Sequence, residues 1–64
     1  PCSQQKDPGP CLGYFVMWYH DSEDNTCKTF VYGGCLGNDN RFSNLQECDA
    51  KCHSNSPFTM KKGI

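Results

Sequence analysis

Six cysteines and two histidines carry most of the chemical potential of this chain: Cys2, Cys11, Cys27, Cys35, Cys48 and Cys52, spaced C-x8-C-x15-C-x7-C-x12-C-x3-C, with His20 and His53. Cysteine can ligate metal, act as a nucleophile or form disulfides. No C-x2-C pair occurs and the histidines lack zinc-finger spacing, so no metal is expected. An even cysteine count in a small cross-linked framework leaves no free thiol to pair with a histidine, so no catalytic residue and no cofactor is expected either. Disulfides remain. On spacing alone the six cysteines allow about fifteen pairings. His20, with no metal-ligand pattern around it, reads as a strand residue supporting the core.

Cross-links fit the size of the chain. Its 64 residues permit one domain, and a fold this small buries only about 60% of the surface its unfolded chain exposes. Six cysteines make up about 9% of the sequence, near the level that marks a disulfide scaffold and an oxidising compartment. A secreted, extracellular protein is therefore expected. Lys and Arg number 6 against 7 Asp and Glu, for a net charge of −1, which offers no electrostatic footprint for nucleic acid or an anionic membrane. The longest strongly apolar run, Tyr14 to Tyr19, falls far short of the roughly 18 residues a membrane helix needs. A monomer is expected, and the lack of a basic-then-apolar leader before Cys2 makes Pro1 the expected start of a processed or truncated chain.

The elements that must hold these residues follow from local composition. Ser3 to Pro10, with Pro8, Gly9 and Pro10, reads as a constrained extended loop and cannot be a helix interior. Phe15 to Tyr19 and Thr26 to Tyr32 are rich in β-branched and aromatic residues and read as two strands. Between them Asp21-Ser22-Glu23-Asp24-Asn25 is turn-forming, and Asn25 tolerates positive φ. An antiparallel hairpin results. Gly33-Gly34 and Gly37-Asn38-Asp39-Asn40 break up the next stretch, and Asn44-x-x-Glu47 then has the arrangement that caps a helix start. The spacing predicts a helix from about Leu45 to Cys52, with Cys48 and Cys52 on one face and able to reach different partners. Trp18, Tyr19, Phe30, Tyr32 and Phe42 are expected mostly in the core. Residues 53 to 64 are mostly polar and read as a flexible C-terminal tail behind a domain spanning 1 to 52.

The cysteine intervals, together with Phe30-Val31-Tyr32-Gly33-Gly34-Cys35 followed by Phe42 and Cys48, resemble the Kunitz inhibitor domain of the bovine pancreatic trypsin inhibitor type, over Cys2 to Cys52. Kunitz domains are among the disulfide-dense small secreted scaffolds. The resemblance implies a small disulfide-rich α+β fold, a twisted antiparallel β-hairpin packed on a short C-terminal helix, with pairings Cys2–Cys52, Cys11–Cys35 and Cys27–Cys48. Such closures, of about 22 to 51 residues, stabilise by roughly 3 to 4 kcal/mol each when taken singly.

The resemblance also implies a reactive site. Cys11–Cys35 would fasten the loop Gly9-Pro10-Cys11-Leu12-Gly13-Tyr14-Phe15-Val16 to a second loop around Gly33, Gly34 and Leu36, with Val31 beside it. A protease binds substrate as an extended strand, so a loop already frozen in that shape loses little entropy on docking. Leu12 would be the primary specificity residue and Leu12–Gly13 the scissile bond, with Gly13 sparing the catalytic groups a collision. After attack the new amine would stay tethered near the acyl-enzyme, so that resealing competes with release.

Leu12 narrows the targets. A trypsin-like pocket holds a buried Asp that Leu would leave unpaired, so trypsin is an expected poor target. Chymotrypsin-like enzymes, including cathepsin G, and elastase-like enzymes have apolar pockets of suitable size. Tyr14, Phe15 and Leu36 extend an uncharged, salt-insensitive contact surface. An alternative keeps the scaffold and changes the enzyme to cathepsin L-like cysteine proteases, which select chiefly by an apolar pocket. A third reading, an ion-channel-blocking toxin-like binder, needs a cationic face, and only Lys6 supplies a cation in the first half of the chain. Met17 stands where the family commonly has Arg, exchanging a cation–aromatic contact for a thioether one.

Overall fold

Two segments rich in β-branched and aromatic residues build the scaffold. A computed structural model describes residues 1–53, with β1 (Phe15–Asp21), β2 (Thr26–Tyr32) and α1 (Leu45–Cys52) in that order. The strands pair antiparallel in unbroken register from Phe15 opposite Tyr32 to Asp21 opposite Thr26. β1 therefore runs two residues past Tyr19, because His20 and Asp21 find partners in Cys27 and Thr26. Asn25 closes the turn with φ 54°, the left-handed conformation Asn tolerates.

The turn is fastened by charge. Asp21 Oδ1 accepts from the Glu23 N–H at 3.0 Å, and Lys28 Nζ donates to Asp21 Oδ2 at 2.9 Å and to Asp24. The Lys28 hydrogen bond, then the Glu23 amide, holds the Asp21 carboxyl below the usual carboxylate range. Hydrogen bonds to Asp24 and then Asp21 raise the Lys28 ammonium above the ordinary lysine value.

Asn44 caps α1 with an extended backbone, its Oδ1 accepting from the Glu47 N–H at 2.8 Å. Glu47 Oε1 in turn accepts from the Ser43 N–H at 3.2 Å. The reciprocal bond thus falls one residue before the cap. Cys48 and Cys52 lie one helical turn apart and reach Cys27 and Cys2, with Cα separations of 6.3 and 5.7 Å. Cys11 pairs with Cys35 across 5.7 Å, so the three pairings implied by the resemblance are present.

Interior space is scarce. Cys27, Phe30 and Cys48 form the buried apolar centre, joined by His20 and Asn40. Of the five aromatics expected in the core only Phe30 is buried, whereas Trp18, Tyr19, Tyr32 and Phe42 are half-buried. A two-stranded sheet under one short helix has a single covered face, so large rings can hide only one side. Tyr19 meets Phe30 edge-on at 5.5 Å. Trp18 and Phe42 exchange backbone hydrogen bonds of 2.9 and 2.8 Å, drawing the segment before the helix against β1.

His20 is a buried residue of β1, as its sequence context predicts, and a second histidine meets it there. Its ring meets that of His53 at 4.9 Å between centroids, nearly perpendicular. His53, the first residue of the expected tail, ends α1 with its N–H donating to the Asp49 carbonyl at 2.7 Å. Residues 54 to 64, where the rest of that tail falls, lie outside the described residues.

Candidate functional site

Pro8 to Gly13 and Gly33 to Leu36 lie side by side at the end of the hairpin opposite its turn, and three connections hold them. The Cys11–Cys35 bridge is covalent. The Gly13 N–H donates to the Gly33 carbonyl at 2.8 Å, and the Gly33 N–H donates to the Pro8 carbonyl at 2.9 Å. Asp7 Oδ1 accepts from the Gly9 N–H at 2.9 Å and shapes the entry to the loop. Between these fastenings Leu12 projects fully into solvent, at 100% relative exposure.

Two glycines make the close approach possible. Gly33 is buried, and a Cβ there would overlap the Cys11 carbonyl. Its place in the second loop is thus that of a spacer beneath the first. At Gly13 a Cβ would sit 2.6 Å from the Gly33 oxygen and 2.8 Å from the Phe15 ring. The loop itself therefore demands glycine there, apart from any demand a docked enzyme makes.

Around Leu12 the surface is apolar. Tyr14, Phe15, Val16, Val31 and Leu36 are all exposed, and Val16 stands opposite Val31 in the sheet register. Leu36 holds φ 59°, an uncommon conformation for a branched residue. Its carbonyl accepts from the Tyr32 hydroxyl at 2.8 Å and from Arg41 Nη1 at 3.1 Å, which secures that conformation. The Arg41 guanidinium also lies 4.1 Å from the Tyr32 ring centroid, a cation–aromatic contact.

Asn40 is the support that the residue pattern concealed, because its run of Gly, Asn and Asp reads as a surface turn. Its side chain is fully buried. Oδ1 accepts from the His20 N–H at 2.8 Å, while Nδ2 donates to the carbonyls of His20 at 2.9 Å and Gln4 at 2.6 Å. Asn38 repeats the tie by donating to the Gln5 carbonyl at 2.9 Å. Together they anchor to β1 and its neighbouring loop the segment that leads into Pro8 and Leu12.

Among the described residues no group of three or more His, Cys, Asp or Glu side chains comes together as a metal cluster, and no helix is long and apolar enough to cross a membrane. What the geometry offers is an exposed, uncharged segment with both flanks fixed.

Residues 1–53 match the family model of the Kunitz/Bovine pancreatic trypsin inhibitor domain. The chain is 47% identical over 51 residues to the protease inhibitor carrapatin of Rhipicephalus microplus, covering 80% of this chain and 74% of that protein. It is 47% identical over 53 residues to the papilin of Caenorhabditis elegans, covering 83% of this chain but only 2% of the papilin. Among solved structures, a chain in the complex between SmCI and human carboxypeptidase A4 superposes with a TM-score of 0.82 at 41% identity, over 88% of this chain and 34% of that one. With its hairpin, helix, three bridges and this likeness, the chain belongs to the Kunitz/bovine pancreatic trypsin inhibitor family.

Proposed function

We propose that this protein is a secreted protease inhibitor that inserts Gly9 to Val16 into a substrate cleft, with Leu12 in the primary pocket and Leu12–Gly13 as the bond presented for cleavage. One observation carries the reading: a fully exposed Leu12 in a loop fixed on both sides of that bond. If an enzyme nucleophile attacks the Leu12 carbonyl, the acyl side remains attached to the body through Cys11–Cys35. The amine side remains held by the Gly33 carbonyl. Neither fragment can diffuse away, so the amine re-forms the peptide bond faster than water can hydrolyse the acyl-enzyme.

Pocket chemistry favours chymotrypsin-like and elastase-like serine proteases. A panel of trypsin, chymotrypsin, neutrophil elastase, cathepsin G and cathepsin L tests this directly. Inhibition of the enzymes with apolar primary pockets and weak action on trypsin are expected. Action on cathepsin L alone would move the target to cysteine proteases, and a panel without any inhibition would remove the reading.

The same geometry predicts a division of labour among the bridges. Cys11 is exposed, whereas the Cys27–Cys48 bridge is buried, so mild reductant should open Cys11–Cys35 first and leave the hairpin and helix folded. Inhibition should then weaken by about tenfold or more, because the freed loop must be ordered on docking. Alkylation mapping with circular dichroism checks both halves, and global unfolding after that single reduction would contradict the prediction.

A further inference from the structure

At the far end of the hairpin from Leu12, three side chains brought together from the turn, the strand and the helix end form a second constellation. His20 Nε2 lies 3.0 Å from His53 Nε2 and 3.1 Å from Asn25 Oδ1. The other nitrogen of each ring faces an oxygen: His20 Nδ1 is 2.8 Å from the Cys2 carbonyl, and His53 Nδ1 is 3.3 Å from Asp49 Oδ1. Carbonyl and carboxylate oxygens only accept, so a proton on each Nδ1 satisfies the Cys2 carbonyl and the Asp49 carboxylate. An ion seated between the rings then takes the place of the hydrogen bonds that His20 Nε2 shares with His53 Nε2 and Asn25 Oδ1. Metal-binding histidines are oriented in this way, with one nitrogen given to a carbonyl or carboxylate and the other to the ion.

We propose that His20 Nε2, His53 Nε2 and Asn25 Oδ1 form a binding site for a late first-row divalent metal ion. The nitrogen separation discriminates among ions. Two nitrogens at the usual bond length of about 2.05 Å and 3.0 Å apart subtend an angle of about 94° at the ion. That suits neighbouring positions of a tetragonal or octahedral ion such as Ni²⁺ or Cu²⁺. Tetrahedral Zn²⁺ requires a separation of about 3.3 Å, a small opening of the rings. Two imidazoles and an amide oxygen are poor ligands for Mg²⁺ or Ca²⁺ compared with carboxylates. Asn25 is exposed and the His53 side chain is 30% exposed, so water can reach the ion and complete its shell. A bound ion joins the hairpin turn to the helix end, beside the Cys2–Cys52 bridge, and stabilises only the folded chain.

The test uses the full oxidised chain stripped with a chelator and titrated with Ni²⁺ and Zn²⁺, with Mg²⁺ as control. Ni²⁺ should broaden the imidazole signals of His20 and His53 first, and either ion in about hundredfold excess over its dissociation constant should raise the melting midpoint by about 10 °C or more. Mg²⁺ should do neither. His53→Gln, which alters a partly exposed side chain at the helix end, should weaken binding by about tenfold or more. Asn25→Gly, which retains the turn's positive φ, should weaken it less. The proposal is overturned if Ni²⁺ and Zn²⁺ leave both signals and midpoint unchanged, which would show that the junction holds only a shared proton. Equal affinity in His53→Gln, or an equal response to Mg²⁺, overturns it as well.

Discussion

Leu12→Lys is expected to produce strong trypsin inhibition while weakening action on enzymes with apolar primary pockets. A lysine at this position places an ammonium against the buried carboxylate of a trypsin-like pocket, a pairing on the order of 3 to 4 kcal/mol, or a hundred- to thousandfold in affinity. Leu12→Asp should lose several kcal/mol, by order of magnitude, against an apolar pocket, because its carboxylate would be desolvated without a partner. Both variants should melt near the parent temperature, since Leu12 is wholly exposed and no part of the core depends on it. Inhibition constants and thermal scans on the three proteins decide the matter. A folded Leu12→Lys variant with no gain against trypsin would show that this loop is not a serine-protease reactive site, and unfolding of Leu12→Asp would show that Leu12 supports the core.

The largest effect on stability is expected at Asn40. Asn40→Ala would leave the His20 N–H, the His20 carbonyl and the Gln4 carbonyl without their side-chain partner, at a cost of about 3 to 5 kcal/mol. With all three bridges intact, the melting midpoint should fall by roughly 12 °C or more. The segment before Pro8 should also exchange its amide hydrogens faster, because Gln4 is one of the groups released. Asn40→Asp retains the acceptor and removes the donors, so it should rescue little. A loss below about 1 kcal/mol in Asn40→Ala would mean that neighbouring groups replace these bonds, and that the anchoring assigned to Asn40 is wrong.

Local signals made the hairpin and the helix legible before any coordinates. A run of β-branched and aromatic residues, an Asn able to adopt positive φ, and Asn44 three residues before Glu47 each act within one turn or strand. The bridges were different: spacing left fifteen pairings open, and only the likeness around Phe30 to Cys35 selected one. Asn40 and the His20–His53 contact escaped notice because their partners lie far along the chain. Asn40 reaches Gln4, 36 residues away, and His20 reaches His53 across 33. In a chain too small for a deep apolar centre, polar side chains take over interior positions, and a composition that marks a turn elsewhere marks a buried anchor here. The exposure of Leu12 rested on the motif, since a leucine in isolation carries no such signal.

The Cys2–Cys52 bridge brings the two ends of the folded unit to within 5.7 Å between Cα atoms. A longer polypeptide could therefore enter the unit and leave it at nearly one point, and splicing such a unit into a host loop would add little to the entropy of closing that loop. Units of this geometry can be strung in series, or hung from an unrelated protein, without disturbing their neighbours. The end that carries Leu12, at the opposite pole of the hairpin, would then face away from the host, like a bead held by its knot.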